Sequence, residues 1–187
     1  MFLKGKSETM RIRSYKQRDS EALLAIAQRA AEVDETTPPE PEAFAAWLAD
    51  PALDATANVF VITDDDDELQ TWGQAGTLEG IEGEIVGYTV LQLQQDHTGY
   101  TFLCQGAVHP AFRRQHVGSI LFVGALNRAH LLALEFDFEA EEAGLPIYFS
   151  AFLPRNDPAA AHLARRFEME PVALPAPSGL QLYRQKL

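Results

Sequence analysis

Two arginines, two histidines and a glycine stand close together in Val108-His109-Pro110-Ala111-Phe112-Arg113-Arg114-Gln115-His116-Val117-Gly118-Ser119. An apolar run from Tyr100 to Val108 leads in, and an apolar run of helical character leads out from Val117. The pattern predicts a strand, a tight basic turn and a helix N-terminus. Such a turn aims backbone N–H groups ahead of the helical ladder, and the positive end of the helix dipole, at one point. That is anion chemistry, and phosphate chemistry in particular. Arg113 and Arg114 add charge there, in a chain whose net charge is -12. The plainer alternative is a solvated basic turn.

Other residues of chemical interest are more scattered. Asp34 and Glu35 close the first predicted helix, where they can attract a cationic amine or simply face solvent. Asp96 and His97 fall in a turn, and His109 reads as structural. Cys104 is the only cysteine, so no intrachain disulfide can form and a reducing compartment is expected. Its place within a predicted strand argues for a buried, inert thiol. The run Asp64 to Asp67 invites a calcium reading. Leu69 and Ala75 stand where an EF-hand loop wants glycine and glutamate, so a solvated loop without metal is expected.

The bulk numbers narrow the function classes. A chain of 187 residues with 47% hydrophobic content can bury a sizeable core. Its 27 acidic against 15 basic residues argue against nucleic-acid binding, which needs a basic face. No apolar run reads as a membrane span, and Met1 to Met10 carries charge without an apolar core, unlike a secretory signal. The expectation is a cytoplasmic protein with a loose N-terminal extension, residues 1–9, and a single domain, 10–187. Self-association as a homodimer stays open.

The elements that must hold the basic turn follow from periodicity. Arg11 to Lys16 reads as a strand. Asp19-Ser20 can cap a helix with Leu23, Ile26, Ala27 and Ala30 on one face. Three prolines at 38, 39 and 41 break the chain before a short helix bearing Phe44, Trp47 and Leu48, which Pro51 ends. Strands are expected over 58–63, 85–94 and 100–108, with a polar loop over 64–83. A helix follows over 117–134, then an acidic connection from Asp137 to Gly144 and a strand over 145–152. Asp157-Pro158 starts a last helix with a stripe of Ala160, Leu163, Ala164 and Phe167. A proline-rich loop, 171–178, precedes a closing strand, 179–187. The order β-α-α-β-β-β-α-β-α-β predicts an α/β fold with a mixed, mostly antiparallel central sheet flanked by helices.

The turn also resembles the acyl-CoA pyrophosphate loop of the GNAT (GCN5-related) N-acetyltransferase superfamily, Arg/Gln-x-x-Gly-x-Gly/Ala after a Val-x-Pro strand end. Arg113 and Gly118 match its ends, and His116 stands at its first glycine. A histidine fits there if its φ is negative and its side chain points away. Asn156, followed by Phe167-Glu168-Met169-Glu170-Pro171-Val172, is similar to the family's second signature, Asn-x-x-Ala then Tyr-x-x-x-Gly-Phe. Aligned on Glu170-Pro171-Val172, Met169 takes the place of the phenylalanine, Glu168 that of the glycine and Ala164 that of the tyrosine. The element order is the GNAT order. The first-half segment Ala46-Trp47-Leu48-Ala49-Asp50-Pro51 is similar to single halves of tandem enzymes such as mycothiol synthase. One copy is present, so that substrate is not carried over.

The resemblance implies acetyl-CoA as co-substrate and direct acetyl transfer to an amine of a small molecule or peptide, with no metal. It places the cofactor against Ala107 and Val108, the turn Arg113, Arg114, Gln115, His116, Val117, Gly118 and Ser119, and Asn156 beside the pantetheine arm. Main-chain N–H groups at Ala107 or Val108 would serve the reacting carbonyl, and the strands before and after the helix splay to admit the arm. The family's tyrosine, the proton donor to the departing thiolate, is missing at Ala164. Tyr148, His162 or water can stand in, since a thiol of pKa about 8.5 is a tolerable leaving group. No base is evident. Asp34 and Glu35 lie where the family's acceptor pocket begins. The rival reading is a non-catalytic acyl-CoA-binding module that acts as a sensor or within an oligomer.

Overall fold

A computed structural model describes residues 9–65 and 83–187. Nearly all of the expected N-terminal extension, most of the 64–83 loop and half of the calcium-type run fall outside these residues. The chain runs β1 (Thr9–Ser14), α1 (Ser20–Asp34), α2 (Pro41–Leu48), α3 (Ala55–Asn58), β2 (Val59–Asp65), β3 (Glu84–Asp96), β4 (Gly99–Val108), α4 (Val117–Ala143), β5 (Ile147–Pro154), α5 (Pro158–Arg166), β6 (Glu170–Pro171) and β7 (Leu180–Lys186). The strands form one sheet in the order β1-β2-β3-β4-β5-β7-β6. Every pairing is antiparallel except β4 with β5. The expected mixed, mostly antiparallel sheet is therefore present, with α3 and the two-residue β6 added to the predicted order.

Both faces of the sheet centre are covered, which is why β3 is buried without a break from Val86 to Leu91. On one face Leu23, Ile26 and Ala27 of α1 and Phe44 and Leu48 of α2 pack on Val59, Val61, Tyr88 and Val90. On the other, Phe122, Ala125, Ala129 and Ala133 of α4 pack on Phe102, Cys104 and Phe149, with Ala164 and Met169 beside them. The alanines recur every fourth residue along α4 and let a helix of about 40 Å lie close to the sheet.

Three local expectations change. The acidic connection 137–144 is the last part of α4: Glu and Ala favour helix, Ala140 is buried, and the helix stops only where Gly144 adopts φ 64° ahead of Pro146. With 27 residues and an 18-residue stretch of mean hydropathy 1.5, α4 is by length and composition apolar enough to cross a membrane, contrary to the sequence reading, although its inner face packs on the sheet. Asp19 does not cap α1 with its side chain. Its carboxylate instead accepts from Arg13 Nη1 (2.7 Å), Arg13 Nη2 (2.9 Å) and the Lys16 amide (2.7 Å).

Candidate active-site cleft

The cleft begins where β4 and β5 part. They pair from Tyr100↔Ile147 to Cys104↔Ala151 and no further. Beyond that point β4 stays with β3 as far as Gly87↔Val108, and β5 stays with β7 as far as Pro154↔Leu180. Gln105–Val108 and Phe152–Pro154 thus face each other across an opening in the sheet. The His109 amide donates to the Val86 carbonyl at 2.8 Å, so strand alternation turns the Val108 N–H the other way, toward the opening. The opening continues into a cleft of about 750 Å³ that reaches residues of α1, α2, β3, β4, β5, α5 and the basic turn.

The turn is built by backbone geometry that a sequence hides. Pro110–Phe112 makes one 3-10 turn, and Arg113 is extended at φ -67°. Arg114 and His116 are then left-handed, at φ 65° and φ 66°. The negative φ expected at His116 is not what the fold uses. The chain must swing from an extended residue into a helix within three positions, and left-handed residues accomplish this. Histidine tolerates that region better than most side chains but at a cost of about 1 kcal/mol. The ladder of α4 opens with the Ile120 amide donating to the His116 carbonyl at 3.0 Å, so the amides of Val117, Gly118 and Ser119 lie ahead of it. A Cβ added to Gly118 would meet only Val108 Cγ2, at 3.8 Å. Packing therefore does not require glycine there, and the space over the helix start can admit a phosphate.

The side chains sort themselves differently from their order in sequence. Arg113 Nη1 and Nη2 donate to the two oxygens of Asp34 at 2.6 and 2.8 Å, and Nε approaches the Val108 carbonyl at 3.4 Å. Hydrogen bonding to Asp34, partly offset by burial, raises the Arg113 guanidinium further above its usual range. Asp34 is accordingly 7% exposed and not a solvated helix end. Arg114 is exposed on the cleft with no ion pair among the described residues. Ala107, Val108, His116, Gly118 and Ser119 also line the cleft. Gln115 does not; its Nε2 bonds back to the Ala111 carbonyl at 3.3 Å. Val117 is buried against Ile62, Val86 and Leu121. Asn156 lies outside the lining, with Nδ2 donating to Glu35 Oε2 at 3.4 Å.

Of the other candidates, His162 reaches the cleft and Tyr148 does not. Tyr148 sits near the start of β5 with the Arg184 guanidinium 4.5 Å above its ring. His109 Nε2 is 2.8 Å from Arg29 Nη1 and its ring packs on Phe112, in keeping with a structural role. Asp96 takes the Thr98 amide within its turn, at the opposite end of β4 from the cleft. Burial pushes the Cys104 thiol up to about 11, against a hydrogen bond with Thr89 at 3.1 Å, so it stays a neutral wall residue. Sequence reading missed the contribution of Glu40, Phe44, Trp47, Tyr88 and Thr89 to the lining. The shared helical face of Phe44 and Trp47 was visible, but not that it turns toward Tyr88 on β3.

The sequence profile of the acetyltransferase (GNAT) family matches residues 21–166. The chain belongs to this family. No curated protein matches it at the level of sequence. Among solved structures, a GCN5-related N-acetyltransferase from Sphaerobacter thermophilus is similar with TM-score 0.62 and 16% identity. The match covers 87% of this chain but only 44% of that one, so this chain spans less than half its length. The yncA protein of Salmonella typhimurium, solved with its cofactor acetyl-CoA, is similar with TM-score 0.58 and 17% identity over 95% of this chain and 92% of that one. A ribosomal-protein-alanine N-acetyltransferase from Brucella melitensis is similar with TM-score 0.60 and 19% identity over 95% and 99%.

In this GNAT chain the three residues aligned with the tyrosine, glycine and phenylalanine of the second signature lie on the last turn of α5 and just beyond it. Glu168, at the motif's glycine, has φ 56°, the left-handed geometry that glycine adopts freely. Met169, at the phenylalanine, is buried in the core with Phe102 and Phe149. Ala164, at the tyrosine, is fully buried in the same cluster and carries no hydroxyl.

Proposed function

We propose that this GNAT domain moves an acetyl group from acetyl-CoA directly to a primary amine of a small molecule or protein. The observation that carries the reading is the parted β4–β5 pair, ending at a helix N-terminus beside Arg114, which has no ion pair among the described residues. In the transfer the amine nitrogen bonds the acetyl carbon as the C–S bond breaks, and the proton the amine sheds balances the one the thiolate takes up. The Val117–Ser119 amides and Arg114 suit a pyrophosphate. The edges of Gln105–Val108 and Phe152–Pro154 suit an extended arm that adds as a strand would. The Val108 N–H suits an acyl oxygen. His162 is the remaining titratable candidate within the cleft.

The test is calorimetric titration with acetyl-CoA, followed by thiol release in the presence of an amine panel. Binding lost in a folded Gly118→Trp variant, together with amine-dependent thiol release, supports the reading. Absence of binding in the native protein would overturn it. Binding without any amine-dependent release would favour the non-catalytic acyl-CoA-binding alternative, which the buried Ala164 keeps in play.

A further inference from the structure

The cleft passes through the sheet. One end meets the helix starts of α4 and α5, and the other opens between α1 and α2. If the first end takes acetyl-CoA, as proposed above, the second is where an acceptor must enter. Its wall is aromatic. Phe44 stands edge-on to Trp47 at 5.8 Å and to Tyr88 at 6.0 Å, so the three rings form one braced array. Trp47 Nε1 is held toward Gln92 Oε1 at 3.4 Å. Apart from Asp34, the α1 residues bordering the cleft are Ala27, Ala30 and Ala31, whose small side chains leave room for a bulky guest.

The charge at this end is sparse despite the acidic chain. Asp34 is consumed by Arg113, and Glu35 faces Asn156 outside the lining. The acidic residues 137–142 lie at the far end of α4, none of them in the cleft. Glu40 at the start of α2 remains, exposed, with no side-chain capping bond and no ion pair among the described residues. One carboxylate can balance one ammonium, and aromatic faces attract a cation while covering an apolar body.

We infer that the acceptor is a monoamine carried on an aromatic or bulky apolar body, rather than a polyamine or aminoglycoside. The ring of such a guest lies against Trp47 and Tyr88, and Glu40 receives its ammonium at the mouth. The ammonium is thus received by Glu40, and not by Asp34 or Glu35, the two carboxylates the sequence offered for a cationic amine.

The experiment compares kcat/KM for phenethylamine and tryptamine with that for putrescine and spermidine, at saturating acetyl-CoA, in the native protein and in Trp47→Ala, Trp47→Phe and Ala43→Phe. The expected result is a preference of roughly tenfold or more for the aromatic monoamines. Trp47→Ala and Ala43→Phe should abolish that preference and Trp47→Phe should retain it, with acetyl-CoA affinity by calorimetry unchanged in all three. Ala43 is exposed at the rim, so its variant keeps the test alive should Trp47→Ala fail to fold. Preference for polyamines, or aromatic-amine KM values indifferent to Trp47→Ala and Ala43→Phe, overturns the inference while intact acetyl-CoA binding leaves the proposed function standing. If no amine turns over, phenethylamine is titrated into the acetyl-CoA complex, and failure to bind overturns the inference as well.

Discussion

The ion pair between Asp34 and Arg113 joins the end of α1 to the basic turn, and it should behave asymmetrically when cut. Its side chains are 9% and 21% exposed, with two N···O contacts at 2.6 and 2.8 Å. Exposed pairs contribute up to about 1 kcal/mol, whereas removing one partner of a buried pair costs about 3–5 kcal/mol because the other is stranded. Arg113 can turn to water from a site already one-fifth exposed, so Asp34→Ala should cost only about 1–2 kcal/mol. Asp34 has no such exit, and Arg113→Ala should cost about 3 kcal/mol. The double variant should fall well short of the sum, with a coupling of about 2 kcal/mol. Urea unfolding of the four proteins at one pH gives all three numbers. Additive single losses, or an Arg113→Ala cost no greater than that of Asp34→Ala, would refute the claim that the pair is buried and bidentate. The same variants bear on the cofactor: Asp34→Asn removes the carboxylate competing for Arg113, so the acetyl-CoA Kd measured by calorimetry should fall or hold, never rise.

Further outcomes follow from four single residues. His116→Gly should leave stability within about 1 kcal/mol of native, since relieved left-handed strain and glycine's chain entropy oppose each other. His116→Val should be lower than His116→Gly by at least about 1 kcal/mol, as thermal melts will show; equal melting temperatures would deny the φ of 66°. Burial alone would raise the Asp19 carboxyl, but bonds from Arg13 and the Lys16 amide, with the charges of Arg13 and Arg18, outweigh it and hold it below the usual 3.8. A depressed carboxyl gives stability that is present above the unfolded pKa and lost as pH falls through the folded one. Denaturation midpoints measured from pH 5 downward should therefore fall more steeply for native protein than for Asp19→Asn, and parallel curves would count against the cluster. Tyr148→Phe should leave kcat unchanged because the ring lies outside the cleft, and His162→Ala should lower it by well under the ~10²-fold of a positioned acid.

What the sequence disclosed was what local periodicity can carry. The strand Tyr100–Val108, the basic turn and the helix from Val117 were legible because apolar spacing switches period at the turn. Helix α4 outran its expected end at Leu134 because side-chain charge was taken for a breaker, whereas Glu and Ala suit an exposed helix and only Gly144 stops it. Asp19 looked like a cap by its place before Ser20, but Arg13, six residues away, reached it first. The cleft was legible only in part. Asp34 and Arg113 are 79 residues apart, and nothing in either segment announces that they meet. Phe44, Trp47 and Tyr88 come from a helix and a strand on opposite sides of β2, so their shared wall exists only once the sheet has formed. The left-handed φ of His116 was masked because a histidine, unlike a glycine, does not advertise it.

The parted strands have a mechanical consequence. β1–β4 and β5–β7 are two panels of one sheet, joined edge to edge over only five register pairs, Tyr100–Cys104 with Ile147–Ala151. Across the back, α4 contacts β2, β3 and β4 of the first panel and β5 of the second, like a beam over a seam. Below the seam no backbone hydrogen bond among the described residues ties the two panels. A ligand hydrogen-bonded to both edges is then a splint as well as a reactant. Its binding adds about 2.7 kcal/mol to resistance against unfolding at a hundred times its dissociation constant, with the gain falling on the line where the sheet itself is thinnest.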